Sequence, residues 1–267
     1  MAPPRHLAFA AAGIDGRIAQ CQSVRHERGT ACVVPTPIGL TSQSCTPNSW
    51  RLAEPSRGIG AALQFQTDMT WITTATGNEV SLLHPQPGSI NLRTIAHHLS
   101  LINRFTGATC RPYSVAEHSL LVCKIAELEF QLDLHGLFAA LMHDAHEAFV
   151  NDLASPVKDE VGAPWHTLES RFARVIRNSF ALNVASTTHA KAIKQADLIA
   201  LATERAQLLP SSATPWPALA GVQPVRWVNL MSPACRTTPW TAWRNAFIER
   251  ADALDFQRQQ LARQLGH

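Results

Sequence analysis

Leu134-His135-Gly136-Leu137-Phe138-Ala139-Ala140-Leu141-Met142-His143-Asp144-Ala145-His146-Glu147-Ala148-Phe149 is the stretch that decides the fold of this chain. Its apolar residues recur at helical rather than alternating spacing, so 134–149 is expected as one apolar-faced helix. Set into that helix are an imidazole and a carboxylate side by side, His143 and Asp144. A second carboxylate, Glu147, stands at i+4 from the first and i+3 from the second. Burying a carboxylate in such surroundings is costly unless a partner or a metal ion compensates its charge. Adjacent helix residues diverge by about 100° around the axis, so an ion held by both must sit over the ridge between them. Its other ligands must come from other helices.

Outward from this segment the helical pattern continues. Residues 115–128 form a second long apolar-faced helix carrying Glu117-His118, and Ile95, Leu99 and Ile102 mark an earlier one. Further helices are expected over 168–180, over 190–209, where Ile193, Asp197, Ala200 and Glu204 share a face, and over 241–265, with Trp243, Phe247 and Leu254 as the buried stripe. His118 and Asp197 are polar interruptions of apolar faces and have the chemistry to complete a site with His143 and Asp144. Six prolines between Pro210 and Pro239 make 210–240 a surface loop rather than an element. Before the helices, Trp71-Ile72-Thr73-Thr74, a Gly77-Asn78 turn and Glu79-Val80-Ser81-Leu82-Leu83 spell a small β-hairpin. There is no internal repeat and no βαβ alternation, so the fold expected is all-α with a small N-terminal hairpin.

Residues 1–68 differ: Pro3, Pro4, Pro35, Pro37, Pro47 and Pro55 interrupt short apolar stretches that keep no period. They are expected as a poorly structured N-terminal extension to a domain over 69–267, and Met69 is a second candidate start. In 267 residues, 46% hydrophobic, there is material for a proper core. A net charge of +3 is too mild for a nucleic-acid or membrane-surface footprint. The six cysteines, Cys21, Cys32, Cys45, Cys110, Cys123 and Cys235, form no C-x-x-C pair and fit neither a disulfide scaffold nor a thiolate zinc site. Reduced thiols in a cytoplasmic protein are expected. No apolar run approaches the ~18 residues that span a bilayer, and the eight-residue stretch from Leu7 to Ile14 ends at Asp15, too weak for a signal peptide.

In the order His118, His143-Asp144, Asp197, the chain resembles the HD-domain metal-dependent phosphohydrolases with their H…HD…D signature, and is similar to the bacterial and prophage 5'-deoxynucleotidases among them. Arg104-Phe105, Ala116-Glu117-His118-Ser119 and His143-Asp144-Ala145-His146-Glu147-Ala148-Phe149-Val150-Asn151-Asp152 match that pattern in order and spacing. Asp152-Leu153-Ala154-Ser155-Pro156-Val157-Lys158 looks like the family's D-L-x-x-P-x-K turn, and Ala196-Asp197-Leu198 through Glu204-Arg205 like its last ligand helix. The resemblance runs from about Trp71 to the final helix and leaves 1–68 uncovered.

The resemblance implies a helical bundle holding one divalent ion by His118, His143, Asp144 and Asp197. Two imidazoles and two carboxylates suit Mn, Co, Fe, Ni or Zn better than Mg. It implies hydrolysis of 5'-(deoxy)nucleoside monophosphates to inorganic phosphate by a metal-activated water. Glu147 and Asp152 would then orient the water and handle the proton of the departing oxygen, in an order left open. Arg104 would fork onto the phosphate, or else bridge helices. Lys158 would touch phosphate, or else be solvated. A homodimer is implied as well.

Plainer readings stand beside these. His84, His98, His135 and His166 are expected as solvated or hydrogen-bonded imidazoles, His97 as a packing residue, and Glu204 as the partner of a nearby arginine. His166 and His189 read as helix entries rather than ligands, so one ion is expected rather than two. The rival functions are a dNTP triphosphohydrolase and a catalytically silent metal-binding regulatory module. Retention of both Glu147 and Asp152 argues against the silent module, since a purely structural site needs no extra carboxylates.

Overall fold

The computed structural model describes residues 70–266, all within one packed unit; the expectations for 1–68 and for Cys21, Cys32 and Cys45 lie outside these residues. Strands β1 (Trp71–Thr73) and β2 (Glu79–Ser81) pair antiparallel with Ile72 opposite Val80. Gly77 turns the hairpin at a φ of +80°, which suits a residue without Cβ. The rest is helical: α1 (Leu92–Leu101), α2 (Val115–Leu128), α3 (Leu134–Leu141), α4 (Glu147–Val150), α5 (Ser155–Val161), α6 (Ala163–Ser179), α7 (Asn183–Thr188), α8 (Ala190–Leu208), α9 (Pro233–Thr237) and α10 (Trp240–Gln264).

Helix α2 lies at the centre, with α1, α3, α8 and α10 packed around it. Ten of its fourteen residues are buried, as expected of a helix that is apolar on nearly every side. Asn91, Ser114 and Asp133 each accept a hydrogen bond from the backbone N–H three residues on, capping α1, α2 and α3. Leu99, Tyr113, Ile125, Leu141, Phe172 and Phe247 are among the largest core side chains. The Phe149 and Phe172 rings stack at 5.1 Å and fasten α4 to α6. Along α10, Phe247 and Leu254 are buried as expected, whereas Trp243 is only half-buried.

His98 ties the hairpin to the bundle. Its Nε2 accepts from the Ala75 N–H at 3.0 Å, which makes Nδ1 the protonated nitrogen donating to the Ala148 carbonyl at 2.7 Å. His135 accepts from Arg258 Nε, and His97 packs edge-on against Trp240. Cys110, Cys123 and Cys235 are free thiols. No helix among the described residues is long and apolar enough to cross a membrane.

The structure departs from the sequence pattern in three places. The helix expected over 134–149 breaks at Met142–His146. There the backbone changes to tighter i→i+3 bonds, Ala145 N–H to the Met142 carbonyl and Glu147 N–H to the Asp144 carbonyl. Unwinding relieves the divergence that a regular helix imposes on His143 and Asp144. The helix expected from 168 starts at Ala163, where Pro164 occupies its first turn. Finally, α5, α7 and α9 are short helices within stretches that read as turns or loop. Pro156 and Pro233 stand in the first turns of α5 and α9, where the missing N–H costs nothing.

Candidate metal centre

His118 comes from the start of α2, His143 and Asp144 from the α3–α4 break, and Asp197 from α8; the fold brings all four together. The His118 and His143 Nε2 atoms are 3.3 Å apart. His118 Nε2 is 3.5 Å from Asp144 Oδ2 and 3.4 Å from Asp197 Oδ1; His143 Nε2 is 3.1 Å and 4.0 Å from the same two oxygens. Donors bound at about 2.1 Å to one ion stand about 3.0 Å apart at right angles and about 3.4 Å apart in a tetrahedron. The separations among His118, His143 and Asp144 and the 3.4 Å from His118 to Asp197 lie near these values, whereas the 4.0 Å between His143 and Asp197 is wider, so Asp197 stands further out than the other three. His118, His143 and Asp144 form one candidate metal-binding group.

The outer nitrogens fix the tautomers. His143 Nδ1 lies 2.9 Å from the Ala140 carbonyl, which can only accept, so Nδ1 carries the proton. His118 Nδ1 lies 2.6 Å from Glu204 Oε1 and donates to it. Both Nε2 atoms thus face each other across two carboxylate oxygens, an arrangement that calls for a proton on one ring or a metal ion between them. The donor set fits a divalent transition metal of borderline softness.

Electrostatics agree. His118 is fully buried. Burial and Arg104 would lower its pKa, yet Glu204, Asp144 and Asp197 together hold it well above the ordinary imidazole value. Asp197 is pushed up by burial but held far below its usual range by the His118 contact and the charges of both imidazoles. These carboxylates demand positive charge, which a proton or a metal ion can supply.

Glu204 is the residue whose importance the sequence conceals. It is fully buried on α8 and accepts from Tyr113 Oη at 2.9 Å as well as from His118. Its Oε2 lies 3.3 Å from Arg104 Nε, without the alignment of a hydrogen bond, so that buried N–H remains free. It does face an arginine, as expected, but its shortest bond is to the candidate ligand His118. The available signal was its position two turns beyond Asp197 on the same face.

Arg104 is buried beside the cluster, Nη1 3.8 Å from Asp144 Oδ2. Phe105 and Thr106 directly after it both have positive φ, 55° and 51°, a costly backbone for non-glycine residues. Asn151 has φ +75° and ψ 162°, a region used almost only by glycine, just before Asp152. Three of the five non-glycine residues with positive φ among the described residues thus adjoin Arg104 or Asp152; the other two, Gln131 and Ala181, lie elsewhere.

Glu147, Asp152 and Lys158 form the neighbouring flank. Glu147 is buried with Oε2 unpartnered and Oε1 3.5 Å from Lys158 Nζ. Burial, reinforced by Asp144 and Asp152, raises its pKa well above the ordinary carboxylate value. Asp152 is raised too, chiefly by burial. Lys158 is held at 2.7 Å by Glu169, a residue the sequence pattern did not single out. Burial pushes the Glu169 carboxyl up, but the His146 and Lys158 contacts outweigh it and leave it at about 2. Asp144, His146 and Glu147 form a second group with metal-compatible spacing; the Lys158 ammonium already supplies positive charge there. His166, mostly exposed, lies 3.6 Å from Glu169, and His189 faces Asp133 at 3.3 Å, so neither joins the His118 cluster.

A cavity of about 310 Å³ opens onto His143, Asp144 and Asp197. The class that fold and site define is a helical protein with a candidate His/Asp metal centre beside a ligand-sized cavity. No family model matches the chain. It is 34% identical over 163 residues to the uncharacterised protein YfdR of Escherichia coli (strain K12), covering 61% of this chain and 86% of that one. It is 34% identical over 142 residues to an uncharacterised protein of Rhodobacter capsulatus, covering 52% of this chain and 72% of the other. The chain belongs to the family of these bacterial proteins.

Proposed function

We propose that the protein is an HD-type metal-dependent phosphohydrolase that releases inorganic phosphate from 5'-(deoxy)nucleoside monophosphates. The observation that carries this reading is the convergence of two imidazole Nε2 atoms and two carboxylate oxygens, with both Nδ1 atoms engaged on the outer side. A divalent ion, when bound by His118, His143, Asp144 and Asp197, supplies Lewis acidity and lowers the pKa of a coordinated water.

The chain's own residues account for the remaining requirements. Glu204 keeps His118 in the ligating tautomer and orients its ring. Arg104, with a buried N–H free at Nε, offers a planar fork suited to phosphate oxygens. Glu147, whose burial favours the protonated form, is suited to donate a proton to the departing 5'-oxygen. Asp152 is suited to orient the attacking water, and Lys158 balances the charge that builds between them. Water adds to phosphorus, the P–O5' bond breaks, and the nucleoside leaves with a proton on O5'.

Incubating metal-loaded full-length protein with dNMPs, NMPs and dNTPs tests the proposal. Inorganic phosphate from dNMPs is the expected product. Tripolyphosphate from dNTPs, or no hydrolysis with any of Mn, Co, Fe, Ni or Zn, would refute it.

A further inference from the structure

The cavity beside the metal centre is bounded by α3, α6, α7 and α8, with His143, Asp144 and Asp197 at one end. Met142, Ile176, Leu182 and Ile193 form its apolar wall, and polar groups make up much of the remainder. Two cations also line it, and they are not equivalent. Lys194 is exposed and committed, its Nζ 2.9 Å from Asp197 Oδ2. Arg177 on α6 is half-buried, and its guanidinium has no carboxylate or hydrogen-bond partner among the described residues. An unpaired guanidinium at the cavity wall is free to meet an acceptor that arrives with a ligand.

We infer that this cavity is the nucleoside subsite, and that Arg177 reads the base by forking onto two adjacent acceptors: O6 and N7 of guanine, or O2 and N3 of cytosine. The inference rests on the nucleotide reading above for the class of ligand, and deepens it by assigning the base contact. The volume is at the small end for ligand pockets, which run about 300–1,000 Å³, and suits one nucleoside rather than a nucleic acid. A flat base can cover the apolar part of the wall, from which a phosphate chain in the same place gains nothing. Guanidinium geometry matches paired acceptors. Adenine offers N7 only beside its N6 donor, and thymine sets its N3 donor between its two oxygens, so neither satisfies both arms of the fork.

Calorimetric titration of the full chain with the four deoxynucleosides, with and without Mn(II), tests the inference apart from any hydrolysis. Deoxyguanosine or deoxycytidine should bind about 5- to 150-fold more tightly than deoxyadenosine and thymidine. Arg177→Ala should abolish that preference while retaining the wild-type metal stoichiometry. Ala190→Trp, at the exposed lip of the cavity, should weaken all four nucleosides together. Equal affinity for the four bases, or an unchanged preference in Arg177→Ala, overturns the inference. So does a gain in affinity on adding a second phosphate that Arg177→Ala removes. Selective nucleoside binding without any hydrolysis would leave the subsite standing and refute only the catalytic reading.

Discussion

Glu204→Gln separates the ligand-orienting role of this residue from simple charge balance. The substitution preserves size and leaves an acceptor near Tyr113 and His118, but it removes the negative charge that makes the 2.6 Å contact to His118 Nδ1 a short, charge-assisted bond. Residues that orient a metal-ligating histidine typically contribute 10- to 100-fold to metal affinity, about 1.4 to 2.7 kcal/mol. A second cost falls on Arg104, which loses its strongest counter-ion and keeps Asp152 and Asp144, the latter at 3.8 Å. Breaking a buried charge pair outright costs about 3–5 kcal/mol, and the amide's residual acceptor should hold the loss at or below about 3. Competition for Zn(II) against a chromophoric chelator measures the first effect, and denaturant unfolding of the metal-free protein measures the second. Metal affinity within two-fold of wild type, together with a clear loss of stability, would refute the orienting role and leave Glu204 as the counter-ion of Arg104.

Asp144→Ala should abolish stoichiometric metal binding and activity together, since its Oδ2 approaches both imidazoles; metal analysis of the purified variant checks this, and retained metal at wild-type turnover would misplace the site. Glu147→Gln should keep the metal and lose about 100-fold or more in kcat, the usual weight of a proton-transfer group, with full activity assigning the carboxylate a structural role. Gly136→Ala places a Cβ 2.9 Å from the His189 ring within the buried start of α3, and overpacking of this kind costs about 1–3 kcal/mol in an unfolding titration.

Much of the fold was readable because its signals are local. Helix α2 spans the predicted 115–128, since Ser114 caps it and its apolar residues leave little ambiguity about its extent. The hairpin followed from β-branched residues around Gly77, and α8 ends within a residue of its expected limit. The break at Met142–His146 was not readable, because the apolar pattern runs through it unchanged. What opens the helix is the need to aim two adjacent side chains at one point, a requirement of the tertiary arrangement. The same holds for the site. His118, His143, Asp144 and Asp197 stand out as polar groups on apolar faces, but Glu204 and Glu169 matter through partners 86 and 11 residues away. Arg177 differs from the other arginines only in what it faces.

The dispersal of the site along the chain gives it a thermodynamic character of its own. The candidate ligands are separated by as many as 79 positions, from His118 to Asp197, and come from α2, the α3–α4 break and α8. No short segment of an unfolded chain can assemble them, so an ion that binds the cage discriminates almost wholly in favour of the folded state. At 1,000 times its Kd such an ion adds about 4.1 kcal/mol to the unfolding free energy, a large fraction of what most domains possess. Scarcity of the metal would then appear first as a shortage of folded protein, with thermal midpoints tracking free ion concentration even in variants that have lost every catalytic group.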